Sequence, residues 1–532
     1  MSTLTQLICR NFGGIREKNA VFSEEMISAQ DIQNVELYFT GINNGIGIRT
    51  AKGNNSINDE LVGDMRIIEI FESVQKGQKF FFVYAESAQG AESPKGVLYD
   101  LNMLTWELSV LKDNLTATGK AQGLDLIQGY SDLFFFTNGA EMFTVEMGIT
   151  TTNTIVDMTP QDRDGRNVLG LNCAVYANRL FIASENMLWY SVTSNIYDFA
   201  TADSEWTTSA GYIELLKPVT ALHNYLDSLA IFYSDSSCLL NVTDGVFAIS
   251  EESPGGCAGA SALVFHDTNL YFYDHTKKSV FSFKQVISGQ KTLGENIAVD
   301  IQEILQDIDE TKLDEIKTRS VFTEGRNEIW WIIPTDVTYT VTEVIEGVPT
   351  EVTKQASNIL IYDYLKGEWI KRKSQKINTV NVINSTLYSG AEDGNILQEY
   401  TSDTFNGDYI QHYYNCSAWN LGAMNTLKVL VLPPRVSFGM PYSNSFYVKY
   451  VKNYNTFKKP KIKLIKSKIK NFMIWGSGHW DVDYWLSKNT NVIGKFPNAT
   501  FKVIEISIYT TNSKQNFAIR NIEFSKIKVK QV

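Results

Sequence analysis

Five cysteines and five histidines are few for 532 residues, and each scarcity removes a class of chemistry. Cys9, Cys173, Cys238, Cys257 and Cys416 are scattered, odd in number and nowhere spaced as CxxC. Such a set suits neither a disulfide framework nor a paired metal site. It reads as reduced thiols made in a cytoplasm, with Cys173 and Cys238 serving as small apolar residues in strand-like stretches. His223, His266, His275, His412 and His479 each lack a second His at ligand spacing, and a lone His near a strand is usually structural. GINNGIGIR lacks the Gly-Lys-Ser/Thr that grips phosphate, and neither HExxH nor GxSxG occurs. The expectation is therefore a protein that is not an enzyme, with no catalytic residue, no cofactor and no metal. No apolar run approaches the ~20 residues that span a bilayer. The opening MSTLTQLICRNFGG has no basic region followed by an apolar run, so no secretion signal is expected.

What is abundant is one pattern. An apolar, aromatic strand, a tight polar turn and a second apolar strand recur along the chain. Phe81, Phe134, Phe181, Phe232, Phe272, Trp330 and Tyr388 mark successive copies, at gaps of 53, 47, 51, 40, 58 and 58 residues. A repeat of this length built from antiparallel strands predicts an all-β fold, a β-propeller of about seven blades. One hairpin cannot bury its own apolar face, so the units must pack on one another. The familiar blade signatures (SxDxGxTW, kelch Gly-Gly…Trp, Trp-Asp endings) are missing.

The chain divides into a lead-in over 1–65, the propeller over 66–402 and a β-rich domain over 403–532. In the lead-in, Ser28–Gln33 reads as a short helical patch. Two insertions lengthen the late repeats. One, at about 298–317, reads as a helix, with Asp300 and Glu303 as a capping box and Ile301, Ile304, Leu305 and Ile308 on one face. The other, at about 335–356, alternates β-branched and polar residues around a Glu346-Gly347 turn and reads as a hairpin arm. An exposed two-stranded ribbon needs a partner, so Val337, Tyr339, Val341, Val344, Val348 and Val352 are candidate assembly contacts. Asp162-Arg-Asp164-Gly165-Arg-Asn167 resembles a piece of a calcium loop but lacks its third acid and closing Glu, and a polar turn is preferred.

Charge is unevenly placed. Residues 411–532 carry 19 Lys and Arg against 4 acids, in a chain of net charge −11. Lys458, Lys459, Lys461, Lys463, Lys466, Lys468 and Lys470 are the densest run, with Ile462, Leu464 and Ile469 partly alternating. On a strand this separates lysines from aliphatics. The run is either a solvated edge whose lysines block aggregation or a surface that docks an acidic partner or faces nucleic acid. Trp475, Trp480, Tyr484 and Trp485 cluster around Asp481 and Asp483, a composition that suits a protein interface better than a sugar or ion site.

The order of segments resembles the tail-hub or nozzle proteins of short-tailed bacteriophages, including the packaged-DNA stabilisation proteins. The likeness is carried by NFGGIREKNAVFSEEMISAQDIQNVEL, by NVLGLNCAVYANRLFIASENMLWYSVTSNIYDF, by IAVDIQEILQDID with the later NILIYDYLKGEWIKRK, and by VIEISIYTTNSKQNFAIRNIEFSKI. It implies a non-enzymatic virion protein of the phage tail, six copies ringing the tail axis beneath the portal-adaptor ring. Packaged DNA would pass the channel without sequence-specific binding. A carbohydrate-active or receptor-binding propeller of a tail fibre and a cellular interaction propeller are the alternatives.

Overall fold

The computed structural model describes the whole chain except residues 1–2, 5–6, 10, 16–25, 41–44, 59–63, 89, 129–130, 149–151, 203–207, 244–245, 286–290, 293, 324, 346–347, 417–425, 431, 433, 439–444, 454–459, 467–492, 496–499, 525–526 and 532. The fold is all-β, built from many small open sheets.

Seven of the sheets are antiparallel rows of four strands, consecutive in sequence in six of them, one of which gains a short fifth strand. Sheet 1 comprises Met65–Gln75, Gln78–Ser87, Lys95–Leu101 and Leu108–Thr116, and sheet 2 Gln122–Gln128, Ser131–Thr137, Met142–Glu146 and Thr154–Asp157. Sheet 3 has Asn172–Tyr176, Arg179–Ser184, Met187–Tyr190 and Gly211–Glu214. Sheet 4 has Ala221–Tyr225, Ser228–Phe232, Ser236–Thr243 and Val246–Ile249, with Ser253–Pro254 added beside its third strand. Sheet 5 has Leu263–His266, Asn269–Asp274, Ser279–Gln285 and Lys291–Thr292, and sheet 6 Lys317–Thr323, Arg326–Ile345, Val348–Asp363 and Glu368–Gln375. Sheet 7 runs Ile377–Ile383, Thr386–Ala391 and Ile396–Ser402, and takes its fourth strand, Gly53–Ser56, from far upstream.

Every aromatic marker of the sequence repeat lies in the second strand of its sheet, and all seven are buried. These strands are near-continuous apolar runs because both their faces are covered by neighbouring sheets. Phe82 meets Phe134 at 4.6 Å between sheets 1 and 2, Phe232 meets Phe272 at 5.0 Å between sheets 4 and 5, and Trp106 meets Tyr388 at 5.6 Å between sheets 1 and 7. The tightest hairpins hold Lys76-Gly77, Ala177-Asn178 and Asn384-Ser385 at positive φ, the backbone that two-residue turns between twisted strands demand. First strands contact one another in chain order from sheet 1 to sheet 4 and from sheet 5 to sheet 7. The 3-10 turn Ala260–Ala262 bridges sheets 4 and 6, and the first strand of sheet 7 returns to that of sheet 1.

The two ends of the chain form three further sheets together. Ala518–Phe524 pairs with Leu7–Cys9, Ile46–Thr50 and Arg435–Phe438, while Ile527–Gln531 pairs with Thr3–Leu4 and Thr426–Leu430. One of the two six-stranded sheets runs Asn11–Ile15, Met26–Gln33, Tyr413–Cys416, Ile504–Tyr509, Ser445–Lys452, Lys461–Lys466. The lead-in is thus interleaved with the carboxy-terminal strands. Ser28–Gln33 is strand, not helix, because Tyr413–Cys416 supplies a pairing partner some 380 positions away in sequence. The insertion at 298–317 is a single helical turn, Gln302–Gln306, between 3-10 turns Val299–Ile301 and Glu310–Glu315. Ile301 stands at the N-cap with no side-chain hydrogen bond, so the Asp300–Glu303 box does not form. Ile301, Leu305 and Ile308 are buried on one face, as their spacing requires.

The joint between the two groups of sheets is dense in charge and hydrogen bonds. Gly14 lies so close to sheet 6 that a Cβ would stand 2.3 Å from the Trp369 carbonyl, and its N–H donates to Glu368. Asn34, at φ 54°, donates its backbone N–H to the Lys371 carbonyl and accepts from the Lys373 N–H. Arg326 bridges Glu36 and Glu328, with its guanidinium 3.3 Å above the Tyr400 ring. Arg372, 2% exposed, pairs with Glu399 and donates to the Lys52 carbonyl.

Candidate functional site

The first strands of the seven sheets differ from the second: they carry polar and charged residues. Asn378 and Asn381 on sheet 7 donate to the carbonyls of Ile67 and Ile70 on sheet 1. Asp125 on sheet 2 accepts from the Val74 N–H, and Gln122 exchanges two 3.0 Å bonds with the Cys173 backbone on sheet 3. Asn172 and Asn224 tie sheet 3 to sheet 4, and His266 lies between Ser320 and Asn327 of sheet 6. Apart from His266, whose partners are side chains, these residues bond backbone groups on the neighbouring sheet or its approach, or in the case of Asp125 the end of the sheet 1 first strand.

The same strands enclose a cavity of about 560 Å³ that receives residues from all seven sheets, among them Glu69, Asp125, Asn172, His223, Val264, Arg319 and Asn381. A second chamber of about 450 Å³ shares Lys120 and Lys317 with it. These sizes fit small molecules and not a duplex. Glu69, 1% exposed, is the centre of charge. It takes Arg319 at 2.8 Å, Lys317 at 3.4 Å and a short bond from Thr379, joining sheets 1, 6 and 7. Burial raises its pKa, but Arg319, Lys317 and the hydrogen bonds outweigh burial and hold it below the ordinary 4.5. Asp125, exposed on the cavity wall, is pushed up by desolvation, with the nearby Glu72 and Asp132 acting in the same direction. Glu86, on the wall of the second chamber, accepts from Arg66, Tyr84, Thr118 and Gly119.

The arm is a continuous hairpin from Val337↔Ala356 to Ile345↔Val348. The stripe selected from sequence is partly covered by the chain itself: Val337, Tyr339, Val341 and Val352 pack on Phe405 and Ile410. Tyr339 and Lys354 both reach Asp408, each at 3.0 Å. At the tip, Val344 pairs with Pro349 and Val348 with Ile345 in the backbone register. Lys461, Lys463 and Lys466 are exposed on the edge strand of the six-stranded terminal sheet that begins with Asn11–Ile15. Ile462 is exposed beside them and Ile465 is buried, so the expected alternation holds only in part. Lys458, Lys459, Lys468 and Lys470, and Trp475, Trp480, Tyr484 and Trp485, lie outside the described residues. Asp162 accepts from the N–H groups of Asp164 and Arg166, from the Arg166 guanidinium and from the Trp189 indole, the pattern of a closed polar turn. Cys173, Cys238, Cys257 and Cys416 are buried, and none of these four is in a disulfide. Sequence reasoning passes over the cavity. Its one signal is charge inside a strand, as in Lys317-Thr-Arg319.

No family model matches the chain, and no curated protein matches it. Solved structures with some likeness include the computationally designed Ika8 protein, at 11% identity over 66% of this chain and 99% of that one, TM-score 0.34. Another is Kluyveromyces lactis Hsv2, at 10% identity over 58% and 98%, TM-score 0.28. At these TM-scores the likeness carries no argument about fold or function.

Proposed function

We propose that sheets 1 to 7 are the blades of a β-propeller and that the chain is a structural, non-enzymatic subunit of a short-tailed bacteriophage tail. In this reading the strand Gly53–Ser56 closes the ring of blades by completing sheet 7. Copies form a ring, six by the resemblance, beneath the portal-adaptor complex. They retain packaged DNA and form the conduit for its ejection. The observation that supports the reading is the place of the segments that carry the resemblance. Gly14 and Asn34 seat directly on the strand Glu368–Gln375, which follows the NILIYDY segment. The likeness therefore coincides with a packed joint between the terminal sheets and sheet 6. Such a joint gives a rigid two-part subunit, which a pressure-bearing ring needs.

The test is negative-stain imaging of the purified chain, together with antibody labelling of particles carrying it. Rings of uniform copy number and label at the tail axis are expected. A closed monomer at every concentration, or turnover of host polysaccharide, would replace this reading by a cellular or a carbohydrate-active propeller.

A further inference from the structure

The smaller chamber is cationic inside an acidic chain. Arg66, Lys120, Lys312, Lys317 and Lys376 line it against Glu86, Glu315 and Glu392. Glu86 is already occupied by four donors, and Glu392 accepts from Asn378 at 2.7 Å. At the waist Lys317 is 6% exposed and shares the single carboxylate of Glu69 with Arg319, so two cations face one anion there. Lys312 pairs with Asp309 at 3.8 Å, whereas Lys120 and Lys376 are half-buried, and the reduced solvent screening strengthens their attraction for an anion. A second observation is independent of charge. Thr318, between the two cations, is fully buried on the wall of the adjoining cavity, and its hydroxyl has no hydrogen-bond partner.

We propose that this chamber binds a small phosphate-bearing anion, held by Lys120 from the connection between sheets 1 and 2, Lys317 on sheet 6 and Lys376 from the connection between sheets 6 and 7, which line it together. Lysines act as compact point charges and suit a multiply charged phosphate, whereas a planar carboxylate is matched by an arginine fork. Ile68, Ile332 and Ile333 line the same chamber and provide an apolar wall for the organic remainder of such a ligand. The bound charge offsets the cation excess at the waist. This site does not depend on ring assembly, and its test is separate from that of the proposed function.

Inorganic pyrophosphate is the probe, titrated calorimetrically into the full chain and into K120Q, K376Q and K514Q. Lys514 is exposed on a distant loop and reports non-specific attraction. Saturable binding of one pyrophosphate per chain is expected, weakened roughly tenfold or more by K120Q and by K376Q, as removal of one charge-assisted hydrogen bond requires. K514Q should bind as the unaltered chain does. Far-UV spectra check that each variant is folded, and if one of the two lysine variants fails this check the other decides. Absence of saturable binding at millimolar pyrophosphate, or equal affinity in the folded lysine variants and K514Q, overturns the proposal.

Discussion

Arg372 sits among Trp330, Tyr400 and Phe405, with its guanidinium carbon within 5.6 Å of each ring centre, and bonds Glu399 below the surface. Glu399 also accepts from Ser389 and Asn54, so one carboxylate organises sheets 6 and 7 and the strand Gly53–Ser56. Removing only the cation leaves a buried charge unpaired. Arg372→Met should therefore cost about 3–5 kcal/mol in denaturant unfolding, with the double variant R372M/E399Q recovering most of it. His412 makes a separate prediction. Burial lowers its pKa to about 4; the Ala51 carbonyl opposes that fall and Arg372 assists it. Because the folded value lies below the ordinary 6.5, the neutral ring favours folding above that pH. This contribution is lost as pH falls from 6.5 through 4, to about 3 kcal/mol in all. Urea midpoints measured across that window should drop in the unaltered chain and drop less in His412→Gln. Below it, Glu36 and Glu69, both held under 4.5, withdraw their own contribution as they protonate.

At the scale of elements, the repeat is legible where both faces of a strand are apolar and illegible where they are not. All seven aromatic markers fall in second strands because stacking of sheets makes those strands uniformly hydrophobic. First strands carry Glu69, Asp125, Asn172, His223 and Arg319, whose partners lie on neighbouring sheets and leave no local signature. Gly53–Ser56 carries no strand signal, since GNNS has no β-branched or aromatic residue; only its pairing with Ile396–Ser402 makes it a strand. Ser28–Gln33 reads as helix for the same reason, a partner invisible to local periodicity. The arm is legible from its alternation, but not the grip of Asp408 on Tyr339 and Lys354. That grip divides the arm. Deleting 342–351 and bridging with Gly-Ser should leave a folded monomer with an unchanged melting midpoint and weaker ring assembly by sedimentation. Normal rings from that variant would remove the arm from assembly. Gly14→Ala acts on the other joint: with a Cβ 2.3 Å from a backbone oxygen, the strand must shift, at about 1–3 kcal/mol.

For the whole molecule the governing fact is the division of charge between a cationic carboxy-terminal region and an acidic remainder. Lys461, Lys463 and Lys466 present that positive charge on a sheet edge, where lysine also discourages uncontrolled strand pairing. The two roles separate by salt. Attraction to the acidic remainder of a neighbouring copy is screened beyond a Debye length of about 8 Å at physiological ionic strength, so assembly should weaken steadily as salt rises. Replacing the three lysines by Gln should flatten that dependence while leaving the sheet folded, because none of the three is buried. If the edge serves nucleic acid instead, the variant loses affinity for random duplex DNA, and the slope of log affinity against log salt becomes shallower by about 0.9 for each phosphate no longer neutralised. An unchanged salt profile in both measurements, with new aggregation of the Gln variant at the exposed Ile462, would assign these lysines to edge protection alone.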